Sequence, residues 1–241
     1  MPERTDAICN HLKATINHPY QLIVVDNGSD IAPISKYTRF VMDTNKQTTG
    51  GFRAGVNYAL QSSMGPFDYY WFIITSAEFN VLDFSDPLDY LLPLFGKDDT
   101  FVVHPAVTFN YSPWSQWMSP REPGNERRRV WGVDYIAALM DAEKYHAIGG
   151  FRPELTMAWG LSGECNWKAR KEGWKIYVND TYVIHKETDI GYSMNRMNMS
   201  ANERKRLAGA QSDRVLTPIY GPDYRERFRY EYTELGTGGD Y

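Results

Sequence analysis

One short stretch, from residue 22 to residue 30, limits the possible folds of this chain more than any other. It reads Leu-Ile-Val-Val-Asp-Asn-Gly-Ser-Asp, so an apolar, β-branched run ends abruptly in polar residues. Such a run is typical of a buried strand in a parallel sheet, and the residues after it are typical of a turn. Because ligands of open α/β sheets lie beyond the carboxyl ends of the strands, Asp26, Asn27 and Ser29 are candidates for ligand contact. The same residues also suit an ordinary turn in which Asp26 caps the next helix.

Composition narrows the class of protein. The chain has 241 residues, which fits one large α/β domain or two close halves. Its net charge is −4 and its basic residues are scattered, so nucleic acid is not an expected partner. The two cysteines, Cys9 and Cys165, form neither a disulfide framework nor a zinc-site spacing, which indicates a reducing, cytoplasmic location. We recognise no apolar run long enough to span a bilayer and no signal peptide.

Strand-like and helix-like segments alternate along the first half of the chain. Apolar strand patterns occupy 21–25 and 69–74, and a glycine-rich loop leads into a helix between 50 and 60. The second half is more irregular, with a long polar and aromatic loop over 110–129, and after His185 the pattern fades into a tail. The alternation predicts an α/β fold with a mostly parallel sheet and helices on both faces.

Three sequence blocks occur in an order that points to a known family. The first is Val-Val-Asp-Asn-Gly-Ser at 24–29, and the second is Gly-Gly-Phe-Arg-Ala-Gly-Val-Asn at 50–57. The third has widely spaced parts: Gly149-Gly150-Phe151-Arg152-Pro153-Glu154, Trp159-Gly160, Glu164, Arg170-Lys171-Glu172-Gly173-Trp174 and Val183-Ile184-His185. Across residues 20–186 the chain therefore resembles the inverting, family-2-type glycosyltransferases of GT-A fold.

The resemblance implies an architecture and a set of ligands. It implies one GT-A-like, Rossmann-like domain over 1–241, with a nucleotide-binding half at 1–100, an acceptor half at 101–190 and a C-terminal tail at 191–241. The donor that it implies is UDP or a UDP-sugar, and the acceptor is a carbohydrate or a glycolipid.

The first two blocks supply the nucleotide-binding residues that the resemblance implies. Asp26 is expected to contact the uracil or the ribose, with Asn27 and Ser29 supporting the turn. Arg53 and Asn57 stand where the family contacts the base or the diphosphate. Arginine suits a phosphate because its planar fork can donate to two oxygens at once.

The metal motif of the family is altered here. An Asp-x-Asp sequence should follow the strand at 69–74, but the chain has Thr75-Ser76-Ala77-Glu78. Divalent cations such as Mn²⁺ and Mg²⁺ prefer charged oxygen ligands, so Glu78 becomes the expected ligand from this segment. His185 matches the late histidine that can complete the metal shell in this fold. We therefore expect Mn²⁺ or Mg²⁺ to be bound weakly through these two residues unless the nucleotide phosphates add ligands.

The catalytic motif is altered as well. Leu161-Ser162-Gly163-Glu164 stands where the family has Glu-Asp-x-Asp, which places a serine at the position of the usual base. Serine at its free pKa is a poor base, so Glu164 or Asp134 would have to take that role. Glu164 equally suits a structural role as an acid in the first turn of a helix.

Two further expectations concern the acceptor side and the sheet. Trp131 and Trp159 are the implied acceptor-binding residues, because a flat aromatic face can stack on a sugar. The family opens with a central strand, whereas this chain begins with a helical pattern at 7–16. Either the sheet lacks that strand, or a later segment such as 214–220 replaces it.

Two functions remain open at this level. The leading hypothesis is a UDP-sugar-dependent, metal-assisted glycosyltransferase or a descendant of one. The alternative is a non-catalytic UDP or UDP-sugar binding protein that kept the pocket and lost its acidic residues. No Gly-x-Ser-x-Gly elbow occurs and no Gly-x-Gly-x-x-Gly follows the first strand, which disfavours a hydrolase or a dehydrogenase.

Overall fold

A computed structural model describes residues 2–29, 33–62, 65–80, 82–96, 99–109, 120–187 and 199–232. Helices and strands alternate through most of this length. In chain order they are α1 (Pro2–Thr15), β1 (Val24–Asp26), β2 (Thr38–Val41), α2 (Gln47–Gln61), β3 (Tyr69–Ile73), β4 (Ala77–Glu78), α3 (Pro87–Leu91) with a 3₁₀ turn (Leu92–Leu94), β5 (Thr100–Phe109), β6 (Arg127–Arg129), β7 (Ala137–Asp141), α4 (Ala142–Ala147), α5 (Leu161–Lys171), β8 (Lys175–Lys186), α6 (Ala201–Tyr220) and α7 (Tyr224–Tyr230).

The central sheet is mixed in direction. Its strand order is β3-β7-β5-β8-β4, and β6 also pairs with β8. Strands β5 and β8 run parallel, whereas the other pairs in this sheet are antiparallel. The expectation of a mostly parallel sheet is therefore wrong. A parallel neighbour needs a long crossover, and the short strands β4 and β6 enter the sheet from loops instead.

Helices cover both faces of this sheet, as the sequence predicts. Val102 and Met140 are paired across β5 and β7 and lie in the main core cluster with residues of α2, α5 and α6. Their neighbours Val103 and Leu139 lie in another cluster with Leu88 of α3. Because successive strand residues point to opposite faces, the two clusters lie on opposite sides of the sheet. Strands from both predicted halves share this sheet, since β3 pairs with β7.

The strand that the family places first has no replacement in the described part of the chain. Strands β1 and β2 form a separate parallel pair, and no described strand pairs with the second edge of β1 or of β3. The segment 214–220, the expected substitute, lies in α6. Helix α2 contacts both strands instead: Phe52 packs on Phe72 of β3 at 5.1 Å, and Gly55 lies beside Val25 of β1.

The sequence predicts a C-terminal tail over 191–241. Two helices of this stretch, α6 and α7, belong to the core. Leu216 in α6 is fully buried, and Tyr224 and Phe228 in α7 are nearly so. All three belong to the main core cluster. Gly160 shows how closely α6 approaches, because a Cβ atom there would lie 2.5 Å from the hydroxyl of Ser212. Residues 201–230 are therefore integral to the fold.

Candidate functional site

Residues in or directly beside the three sequence blocks come together near the end of β1, where Gly51 lies next to the Asn27 side chain. The Asn27 side chain donates to the carbonyl of Gln47 at 2.5 Å and accepts from the backbone N–H of Lys46 at 2.9 Å. Two residues further along α2, the Thr49 hydroxyl donates to the carbonyl of Leu155 at 2.6 Å. The turn after β1, the start of α2 and the loop of the third block are thus joined by direct hydrogen bonds.

The turn after β1 is held tightly by its own side chains. Asp26 accepts from the backbone N–H of Ser29 at 2.7 Å, which closes the turn. Gly28 has a φ of +68°, and a Cβ atom there would lie 2.5 Å from the backbone of Thr44 and Asn45. Only glycine fits this position, because an added side chain would collide with backbone. The turn therefore presents a preformed edge with Asp26 half-buried and Ser29 exposed.

Arg53 and Asn57 extend this edge along α2. They lie four residues apart, so they share one face of the helix. Asn57 is exposed, and the half-buried Arg53 donates to the carbonyl of Phe151. That carbonyl follows Gly149 and Gly150, both of which have positive φ. Because a guanidinium carries five N–H donors, this contact leaves Arg53 with donors for a ligand.

A second group of polar residues gathers where β4 and β8 end. Glu78 and His185 are directly opposite each other in this antiparallel pair. The Nδ1 atom of His185 is 2.9 Å from the hydroxyl of Thr108 on β5. A guanidinium nitrogen of Arg4 in α1 lies 3.5 Å from Glu78, and another lies 3.7 Å from Glu187. We call these five residues the strand-end cluster.

The strand-end cluster does not fit a divalent cation. Its Glu78 carboxylate is 45% exposed, and the fixed positive charge of Arg4 lies 3.5 Å from it, where it would repel a divalent cation. In the described ranges, the one group of three metal-ligating side chains with ligand atoms within 4.8 Å of one another lies elsewhere and consists of His18, Asp86 and Asp89. There Asp86 caps α3 and accepts backbone N–H groups of Asn17 and Leu88. The expected metal pair of Glu78 and His185 is therefore not assembled as a metal centre.

Sequence reasoning missed three members of the strand-end cluster. Glu187 could have been found, because it lies two residues after His185 and shares its side of the strand. Thr108 and Arg4 carry no local signal, since they come from β5 and from the first turn of α1. Their partnership with Glu78 and His185 depends on tertiary packing.

Asp134, one of the two candidate bases, is accessible to solvent. It is exposed, although the residues around it from 130 to 140 are buried. Its own carboxylate accepts from the neighbouring backbone N–H of Tyr135 at 3.0 Å. Two residues further, the carbonyl of Ile136 accepts from the N–H of Ile74 at the end of β3. This bond joins the segment that follows Asp134 to the residue directly after β3, four residues before Glu78.

Glu164, the other candidate base, is locked inside the protein. Its side chain is 1% exposed and receives Arg152 Nε at 2.9 and 3.0 Å, with a further bond from the same guanidinium at 2.5 Å. The hydroxyl of Tyr220 donates to it at 2.6 Å, and Lys168 lies 3.5 Å away. Burial raises the pKa of Glu164, but these donors outweigh it and hold the pKa below its usual value. A carboxylate with these partners cannot accept a substrate proton without losing them, so the geometry favours its structural role.

The two predicted acceptor tryptophans differ in accessibility. Trp131 is 5% exposed, belongs to the main core and has the Arg170 guanidinium 5.9 Å above its ring. It cannot present a face to a sugar, so its expected role is not supported. Trp159 is half-buried next to Gly160 and stays a candidate.

Comparisons with known proteins bear on the fold of the chain. No family model matches the chain, and no curated protein matches it. Among solved structures, the chain is similar to GalNAc-T7, a GT-A glycosyltransferase, in its crystal structure with UDP, GalNAc and Mn²⁺. The TM-score is 0.51 at 12% identity, over 81% of this chain and 40% of that one. The chain has a GT-A-like fold.

The chain spans 40% of the length of that GalNAc-T7 chain. Within the described ranges of this protein, no helix combines the length and the apolar character that crossing a bilayer requires.

Proposed function

We propose that this GT-A-like protein is a nucleotide-sugar-dependent glycosyltransferase of the family-2 type. The observation that carries the proposal is the meeting of three separate sequence blocks at the end of β1, through Asn27, Thr49 and Arg53. In α/β sheets such an edge is the usual place for a ligand. The proposed donor is a UDP-sugar, and the proposed acceptor is a carbohydrate or a glycolipid.

The proposed reaction is a single displacement with inversion. The turn at Asp26 and Ser29 binds the uracil or the ribose, and Arg53 with Asn57 contacts the diphosphate. Asp134 removes the proton of the acceptor hydroxyl, whose oxygen bonds to the anomeric carbon as the bond to UDP breaks. The donors facing the diphosphate stabilise the negative charge that develops on it. No step is assigned to Mn²⁺ or Mg²⁺, because the strand-end cluster does not fit such an ion.

The second candidate is a non-catalytic binding protein for UDP or a UDP-sugar. One observation favours it, namely that Glu164 is tied into an ion pair and hydrogen bonds rather than free to react. Both candidates share the nucleotide site, and they differ in turnover. The cytoplasmic location and the lack of a nucleic-acid partner stay predictions.

Titration calorimetry with UDP tests the nucleotide site. We expect Asp26→Ala to weaken UDP binding by at least a few-fold, since hydrogen bonds to a charged group contribute about 1.5–3 kcal/mol. Asp68→Ala is a matched control, because Asp68 is exposed at the start of β3 and thus at the other end of a strand. Equal UDP affinity in wild type and Asp26→Ala would contradict the proposed site.

A donor-hydrolysis and transfer assay then separates the two candidates. Release of UDP from a UDP-sugar, faster with an added saccharide acceptor, supports the transferase. Tight UDP-sugar binding without turnover across a panel of donors and acceptors supports the binding protein.

A further inference from the structure

The strand-end cluster contains a permanent cation at the place where the resemblance expects a metal ion. Arg4 lies between Glu78 and Glu187, and the backbone N–H of Glu187 donates to the carbonyl of Ser76 at 2.9 Å. The guanidinium is thus beside the segment that replaces the Asp-x-Asp motif. We propose that Arg4 binds the diphosphate in place of a divalent cation, so that nucleotide binding is independent of metal. This inference rests on the proposed function.

The position of Arg4 is set by the packing of α1. Residues 4, 8 and 12 are spaced four apart, so Arg4, Ile8 and Leu12 share one face of the helix. Ile8 and Leu12 pack in the cluster that contains Ala77 of β4. The ring of His11 also stacks on Phe79 at 5.2 Å, directly after β4. The hydrophobic contacts therefore hold the Arg4 face of α1 against the end of β4.

Electrostatics explains why a cation is needed there. Glu78 on β4 and Glu187, directly after β8, carry two negative charges that would repel a diphosphate, and Arg4 offsets one of them. Arg4 supplies one positive charge, and its side chain is 35% exposed. Its distances of 3.5 and 3.7 Å to the carboxylates are longer than a direct charge-assisted hydrogen bond of about 2.7–2.9 Å. The Arg4 guanidinium therefore lies near both carboxylates but keeps N–H donors for a ligand. It can donate to two phosphate oxygens at once.

The test compares UDP binding by calorimetry in EDTA and in Mn²⁺, using the full chain. We expect wild-type UDP affinity to be the same in both within about twofold. Arg4→Ala should weaken UDP binding by about tenfold or more, the loss expected for one charge-assisted contact. Arg4→Lys should recover part of the affinity. Lys13→Ala is the control, because it removes one positive charge from the last turn of the same helix.

Uridine serves as a second ligand that lacks phosphate. Arg4→Ala should leave uridine binding unchanged, since the proposed contact is to the diphosphate. An equal loss for uridine and UDP would show that the variant disturbs the pocket in general and would overturn the inference. Thermal melts of each variant check that the fold is kept.

The outcomes distinguish this inference from the proposed function. If Mn²⁺ raises wild-type UDP affinity tenfold or more, the inference is overturned and the nucleotide site stands. The same holds if Arg4→Ala binds UDP as tightly as wild type. If wild type binds neither UDP nor uridine under any condition, both the inference and the proposed function are wrong.

Discussion

Two acidic regions of this molecule differ in how the fold holds them. Glu164 is buried and bonded by Arg152 and Tyr220 at hydrogen-bonding distances. Glu78 in the strand-end cluster is nearly half exposed, and its ion pair with Arg4 spans 3.5 Å. The resemblance gives both residues a role in the same expected active site, one as base and one as metal ligand.

The difference separates groups that stabilise the protein from groups that can meet a ligand. A buried carboxylate with several donors has lost its water, so its interactions are strong and its removal leaves charges unpaired. An exposed pair keeps most of its water and contributes little to stability. The burial of Glu164 therefore favours a role in the fold, whereas ligand contact by the strand-end cluster and by the exposed Asp134 stays a proposal.

The largest expected effect is on turnover. Asp134→Asn should lower kcat by about 10²–10⁴, the usual loss when a general base is removed, and should leave UDP affinity nearly unchanged. Glu164→Gln should retain turnover within about tenfold, because its side chain acts in packing rather than in proton transfer. Initial rates measured well below the melting temperature of each variant provide the comparison. A full loss in Glu164→Gln together with normal rates in Asp134→Asn would reverse the assignment.

The next effect is on stability. Glu164→Ala should lower the free energy of unfolding by about 3–5 kcal/mol, because it leaves Arg152 without its buried partner. Glu154→Ala is the control, since Glu154 is exposed and its removal should change stability by about 0.5 kcal/mol or less. Urea unfolding followed by circular dichroism measures both. A change below 1 kcal/mol for Glu164→Ala would mean that its ion pair is not structural.

A buried histidine should make the stability of the protein sensitive to acid. His104 is fully buried, accepts from the N–H of Ala137 at 3.0 Å, and donates to the carbonyl of Pro105 at 2.6 Å. Burial lowers the pKa of His104 to about 4, although the bond to Pro105 opposes the shift. The unfolded chain takes up a proton here below about pH 6.5. Stability should therefore fall as the pH drops through this range, by on the order of 3 kcal/mol near pH 4.

Urea unfolding at several pH values between 7 and about 4.5 checks this slope before most carboxylates titrate. His104→Gln should flatten it, whereas His146→Gln should not, because His146 is exposed. If the pH dependence of the unfolding free energy is unchanged in His104→Gln, groups other than His104 cause the acid sensitivity.

The smallest expected effect concerns the stability contribution of Arg4. Arg4→Ala should change the free energy of unfolding by less than about 1 kcal/mol, because its ion pairs are long and partly exposed. Arg152→Ala should cost several times more, since it leaves Glu164 buried without its partner. Urea unfolding of the two arginine variants compares the two regions directly. Similar losses of unfolding free energy in both variants would show that the two arginines contribute equally to stability.

Local patterns in the sequence determined the α/β class and the three blocks. The β-branched run before Asp26 specifies a strand through short-range sterics, and the structure has β1 there. The glycines at 28, 149 and 150 specify tight turns, and all three have positive φ. The meeting of the blocks also follows from the resemblance. Strand direction did not follow, because a strand buried on both faces has the same apolar run whichever way its neighbours point.

The partners of the charged residues were decided by the tertiary structure alone. Glu164 pairs with Tyr220, 56 residues away, and Arg4 in the first helix pairs with Glu78 after the third strand. No local spacing encodes such pairs, since they depend on how α6 and α1 pack against the sheet. Whether a carboxylate is buried with several donors or exposed to solvent is set by that packing. This is why the residues at two motifs of one expected active site differ, with Glu164 inside the fold and Glu78 at the surface.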